Sequence, residues 1–131
     1  MTITTGPGIT RIGQIQIRTH NVERAADFYQ NVLGLKLLFK APPGLAFFDC
    51  GGVRLMLNPP EKPEFDHPSS ILYLAVPDIN AAHAGMKEKG VRFEDQPHLI
   101  AKLPDHDLWM TFFRDSEDNL LALMSEVRSA K

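Results

Sequence analysis

This chain of 131 residues has a single cysteine, one tryptophan and two tyrosines. The lone Cys50 excludes an intrachain disulfide and fits a reducing cytoplasm. It ends the apolar run Ala46-Phe47-Phe48-Asp49-Cys50, where a small buried filler is expected rather than a nucleophile. No apolar run approaches the roughly 20 residues of a membrane span, so no membrane association is expected. A formal net charge of −2 removes the electrostatic case for a nucleic-acid partner. Met1-Thr2-Ile3-Thr4-Thr5-Gly6-Pro7-Gly8 has no cationic segment followed by an apolar core, so no secretory leader is expected. Gly6-Pro7-Gly8 leads into no helix, which leaves no phosphate or dinucleotide loop, and no Ser or Cys sits in a nucleophile elbow.

What is present is a pattern stated twice. Hydrophobic content of 44% and charged content of 23% are ordinary, and the length supports one domain with a real core. Ile12–Arg18 alternates as a strand, Asn21–Leu33 has helical spacing, and Gly34 closes that helix. Ile71–Val76 alternates again, Asp78–Lys89 is helical, and Gly90 closes it. The expected helix starts, Val22 and Ile79, are 57 positions apart. Asn21 and Asp78 are the expected N-caps. Val22, Ala25, Ala26, Tyr29 and Leu33 form one buried stripe, and Ile79, Ala82, His83 and Met86 form the other.

Each helix leads into further strands. In the first half these are Leu35–Lys40, Leu45–Cys50 and Val53–Asn58, with turns at Pro42-Pro43-Gly44 and Gly51-Gly52. In the second they are Val91–Glu94, an irregular or weakly stranded Gln96–Pro104, Leu108–Arg114 and Asn119–Glu126. The proline-rich stretch Pro59–Ser69 reads as a hinge between the halves. The expected class is α+β, with about eight strands and two main helices. The expected layout is a flexible arm at 1–10, one domain over 11–126 and a tail at 127–131. Within that domain the modules span about 11–60 and 69–126.

Ile12-Gly13-Gln14-Ile15-Gln16-Ile17 runs into Asn21-Val22-Glu23-Arg24-Ala25-Ala26-Asp27-Phe28-Tyr29 and Val32-Leu33-Gly34-Leu35. With Gly52–Leu57 and Phe112–Leu121, these segments resemble the vicinal oxygen chelate superfamily. That group includes glyoxalase I, bleomycin-resistance proteins, extradiol dioxygenases and methylmalonyl-CoA epimerase. At the last turn, where the family has Asp-Pro-Asp-Gly-Asn, Ser116 and Asp118 replace the proline and glycine. The resemblance implies paired βαβββ modules with an open cleft between curved sheets, and a homodimer.

In metal-using members of that family, four inward side chains hold a divalent ion. Aligned residue by residue, those positions fall on Gln14, Met56, Ile71 and Ala122. Gln14 alone offers an oxygen, as a weak ligand, and Met56 offers a soft thioether. A transition metal wants about four to six donors, so no cofactor is expected and a divalent metal is not supported by these positions. The histidines supply no substitute spacing. Asp105-His106-Asp107 is the most suggestive cluster, but consecutive residues point different ways and read as a solvated turn. Asp66-His67 lies in the hinge, His83 on the helix stripe, and His20 just before a cap.

Strand parity carried from the aligned positions gives a cleft face of Gln14, Gln16, Arg54, Met56, Asn58, Ile71, Tyr73, Leu120, Ala122 and Met124. The opposite face, including Ile15, Ile17, Leu55, Leu57, Leu121 and Leu123, is aliphatic and belongs under the helices. Amides, one cation, one phenol and thioethers suit a small amphipathic molecule. Arg54 fits a ligand carboxylate and, equally, a salt bridge to a neighbour. Tyr73 reads as a hydrogen-bond donor or a packed aromatic. His98 borders the cleft, and Trp109 suits either stacking on a flat ligand or strand packing. The candidate ligand residues are therefore Gln14, Gln16, Arg54, Met56, Tyr73, His98, Trp109 and Met124, with no catalytic residue assigned. Two functions are expected. One is a metal-independent small-molecule binding or sequestering protein like the bleomycin-resistance branch. The other is a glyoxalase-like lyase or dioxygenase-like enzyme with a displaced metal site.

Overall fold

The structure is a computed structural model that describes residues 6–42 and 44–128. The expected arm therefore lies partly, and the expected tail mostly, outside the described residues, as does Pro43 of the first turn. The first module runs β1 (Gln14–Arg18), α1 (Val22–Asp27), a wider π-helical turn (Phe28–Val32), β2 (Lys36–Ala41), β3 (Leu45–Cys50) and β4 (Val53–Asn58). The second runs β5 (Leu72–Ala75), α2 (Ile79–Glu88), β6 (Arg92–Phe93), β7 (His98–Lys102), β8 (Asp107–Arg114) and β9 (Leu120–Val127). Among the described residues, nine strands and two α-helices make an α+β fold of paired modules.

The sheets repeat one plan. Strand order is β1-β4-β3-β2 in the first and β5-β9-β8-β6 in the second, with β7 also pairing β8. In both, the strand before the helix lies parallel to the last strand: Gln16 faces Met56, and Tyr73 faces Ala122. The other pairs are antiparallel.

Three details differ from the sequence expectation. The first helix is α-helical only to Asp27, and its end widens so that Leu33 N–H donates to Phe28 C=O at 3.0 Å. The stretch at 96–104 contains a true strand, β7, held to β8 across a bulge between Leu99 and Ala101. Among the described residues the strands number nine, in keeping with the expected count of about eight. The hinge contains a short 3-10 turn, Pro63–Phe65.

The caps act as the residue types dictate. Asn21 Oδ1 accepts from Arg24 N–H at 3.0 Å, and Asp78 Oδ1 accepts from Ala81 N–H at 3.1 Å. At the β3–β4 hairpin Gly51 and Gly52 both have positive φ (59° and 92°), a mirror-image turn that only glycine adopts freely.

The helices cover the aliphatic sheet faces in two clusters. Ile17, Ala25, Tyr29, Phe48, Leu55 and Leu57 form the first; Ile79, Met86, Val91, Phe113, Leu121 and Leu123 form the second. Phe28, Leu33 and Leu72 pack against both, so the cores meet at the join. Among the described residues no helix is long and apolar enough to cross a membrane.

A polar latch also joins the modules. Glu117, in the β8–β9 turn, accepts from the backbone N–H of His20 and Asn21, both at 2.9 Å, and from Arg24 Nε at 2.7 Å. Tyr29 Oη donates to Asp115 at 2.7 Å, and Asn119 Nδ2 donates to the Arg18 carbonyl at 2.9 Å. Burial raises the Glu117 carboxyl, but the donors from Arg24, Asn21 and His20 outweigh it and hold the pKa at about 2. Tyr29 moves well above its ordinary value, first through burial and then through the Asp115 charge.

Candidate functional site

The sheet faces turned away from the helices carry the mixed chemistry. On the first sheet Gln14, Gln16, Arg54 and Met56 share a face, joined through register by Phe47, opposite Met56, and Phe39, opposite Phe47. Arg54 Nε donates to Gln14 Oε1 at 2.8 Å, and the Gln14 amide nitrogen lies 3.6 Å from the Met56 sulfur. The Arg54 guanidinium sits 5.5 Å from the centre of the Phe47 ring, which stacks on Phe39 at 4.5 Å. Among the described residues Arg54 has no carboxylate within salt-bridge distance. Its register partner Asp49 instead accepts from Gly52 N–H at 3.2 Å. Among the described residues the cation is thus held in place without a salt bridge.

On the second sheet Tyr73 faces Ala122, and Phe112 faces Ala122 from the other side. Tyr73 meets Phe112 edge to face at 6.0 Å and is nearly half exposed. Met124 faces Met110, and Met110 faces His98, which puts Met124 and His98 on this surface. The His98 ring contacts the Gln96 carbonyl through Nδ1 at 2.7 Å. Trp109 has the opposite parity, shared with Thr111 and Phe113, and packs against the second core cluster. Its ring lies on the helix side, away from Tyr73 and Met124. Parity counted back from Phe113 would have shown this. The same count would have found Met110 and Phe112, whereas Phe47 and Phe39 follow from the pairing of β3 with β4 and of β2 with β3, the latter across a bulge.

The family's metal positions do not suit an ion. The Gln14 oxygen is already engaged by the Arg54 guanidinium, and a divalent cation beside that fixed positive charge is disfavoured. Met56 is a soft thioether, while Ile71 and Ala122 have no donor. Among the described residues no group of three His, Cys, Asp or Glu side chains could hold a metal. Asp105-His106-Asp107 does not converge: His106 Nδ1 lies 2.8 Å from Asp105, whereas Asp107 turns to Lys102 at 3.7 Å. His83 is buried against Phe93 with ring centres 4.1 Å apart. His20 pairs with Asp66 at 2.9 Å, and His67 is exposed.

Residues 11–123 match the Glyoxalase/Bleomycin resistance protein/Dioxygenase superfamily, and the chain belongs to that family. Its fold recurs in a superfamily member from Sphaerobacter thermophilus, 24% identical, with a TM-score of 0.76 over 90% of this chain and 98% of that one. It recurs in TnmS3, an antibiotic binding protein from a Streptomyces species, 24% identical, with a TM-score of 0.75 over 92% and 99%. A lactoylglutathione lyase from Agrobacterium tumefaciens is 18% identical, with a TM-score of 0.69 over 90% and 95%.

Proposed function

We propose that this chain binds and sequesters a small amphipathic molecule in the cleft, without a metal. The guanidinium of Arg54, anchored but without a salt bridge among the described residues, carries this reading. A cation held by an amide and laid over an aromatic ring is prepared for a planar anion such as a carboxylate. Phe47, Met56, Tyr73 and Met124 supply an apolar, adaptable surface for the body of the ligand, and Gln14, Gln16 and His98 supply polar contacts. An antibiotic binding protein among the relatives of like fold supports a binding role. The protein is expected to act in the cytoplasm as a homodimer.

The test is a thermal-shift screen of aromatic and alkyl carboxylates, paired with total metal analysis of protein purified without an affinity metal. Saturable stabilisation that Arg54→Ala weakens, with metal far below one per chain, supports the reading. Near-stoichiometric transition metal with lyase or dioxygenase turnover, and no ligand from the screen, would overturn it in favour of a displaced metal site.

A further inference from the structure

The two modules are related by a repeat, yet the joins they make are not alike. Asn21 and Asp78 cap the two helices 57 positions apart, so Arg24, Phe28 and Tyr29 of the first module correspond to Ala81, Gly85 and Met86 of the second. In the sheets Phe47 faces Met56 as Phe112 faces Ala122, so Cys50 and Asp115 hold equivalent places. The first join is bridged by Arg24 to Glu117 and Tyr29 to Asp115. The second has only Met86 and Cys50 in the matching places, with Ala81 and Gly85 beside them. There the modules leave a crevice of about 450 Å³, lined chiefly by carbon. That volume lies within the roughly 300–1,000 Å³ of small-molecule pockets.

Gly85 is the informative residue. It lies in the interior of α2 with no positive φ, so the backbone does not require glycine, and glycine there weakens a helix. A Cβ added at Gly85 would meet nothing within 4 Å. Small side chains at 81, 82 and 85 keep the crevice open. Its walls are Val32, Leu35, Leu74, Val76 and Leu123, with Tyr73 at one side. The Cys50 thiol adds no charge, since burial raises its pKa. The cation on the lining is Lys89, whose ammonium donates to the Asn31 carbonyl at 2.9 Å and keeps further donors for a ligand.

We propose that this crevice is a second ligand site, adjoining the cleft at Tyr73, for a medium-chain alkyl carboxylate whose chain lies along the aliphatic walls and whose carboxylate meets Lys89. The site stands independently of the cleft reading. The probe is decanoate below its micelle concentration, titrated calorimetrically into the whole chain, with decanol as the uncharged control. Saturable binding at one per chain is expected, together with slowed reaction of Cys50 with a thiol reagent. Gly85→Leu and, separately, Ala81→Leu should weaken decanoate by ~10-fold or more by filling the space, with the unfolding temperature kept or raised. Lys89→Gln should weaken decanoate by about 2- to 5-fold and leave decanol unchanged. Arg54→Ala, which alters the cleft, separates the two sites: retained decanoate affinity supports the crevice, whereas lost affinity overturns it. Absence of saturable binding would overturn the proposal, as would affinity undiminished in both filled variants. So would a dimer that shields Cys50 without decanoate and that Gly85→Leu dissociates, because a second copy would then occupy the crevice.

Discussion

At the residue scale, Glu117 gathers donors from several residues of the first module at once. Its carboxylate is buried and takes donors from Arg24, His20 and Asn21. Its folded pKa of about 2 lies below the ordinary 4.5. A depressed acid stabilises the fold above its unfolded pKa and loses that contribution as pH falls through the folded value. Acid titration of unfolding should therefore show a loss on the order of 3 kcal/mol between pH about 4.5 and 2. Glu117→Gln should remove most of that pH dependence. If its denaturation curve keeps the wild-type slope in this window, the latch is not the source. Asp118 offers an independent test, because it holds a positive φ of 65° that costs a residue with a Cβ. Asp118→Gly should raise stability by about 0.5–1 kcal/mol in urea unfolding, provided its 3.5 Å pair with Arg92 is as weak as exposed pairs usually are.

At the scale of elements, α1 does two tasks, covering the first sheet and tying it to the β8–β9 turn. Tyr29→Phe keeps the ring in the core and removes only the hydroxyl that donates to Asp115. It should cost about 0.5–1.5 kcal/mol in chemical denaturation, because the buried Asp115 carboxylate loses one of its donors and keeps those from Asn119 and the Glu117 N–H. Much of this layer was legible in the sequence. Alternation at Ile15 and Ile17, the Asn21 and Asp78 caps, and the Gly51-Gly52 turn are local signals, and each lies where its chemistry requires. β7 was not sharply legible, since its bulge breaks the period of two. The latch was not legible either. Asp115-Ser116-Glu117-Asp118-Asn119 reads as a turn by composition, and nothing local reveals that its carboxylates meet residues some 90 positions earlier. For the cleft, parity placed Gln14, Arg54, Met56 and Tyr73 on the non-helical faces, whereas Trp109 needed its neighbours' parity to be placed on the helix side.

For the whole molecule, the metal and ligand expectations are decided together. Protein purified without an affinity metal should carry far less than one transition metal per chain, and chelator treatment should leave its unfolding temperature unchanged. A drop of several degrees on chelation would reveal a structural ion and sink the metal-free reading. A cleft ligand should raise the unfolding temperature of the wild type and of Trp109→Phe alike, since that ring lies on the other face. It should stabilise Arg54→Ala less.

The latch also bears on how the chain is made. Arg24 and Tyr29 wait for partners at 117 and 115, some 90 positions further along the chain. On a ribosome working from the N-terminus at about 5–20 residues per second, the first module is complete several seconds before those carboxylates emerge. During that interval α1 has its sheet to lie on but no clasp, and Phe28 and Leu33 lack the second core they later share. Commitment to the joined form thus falls to the β8–β9 turn of the second module, the point at which assembly either closes or goes astray.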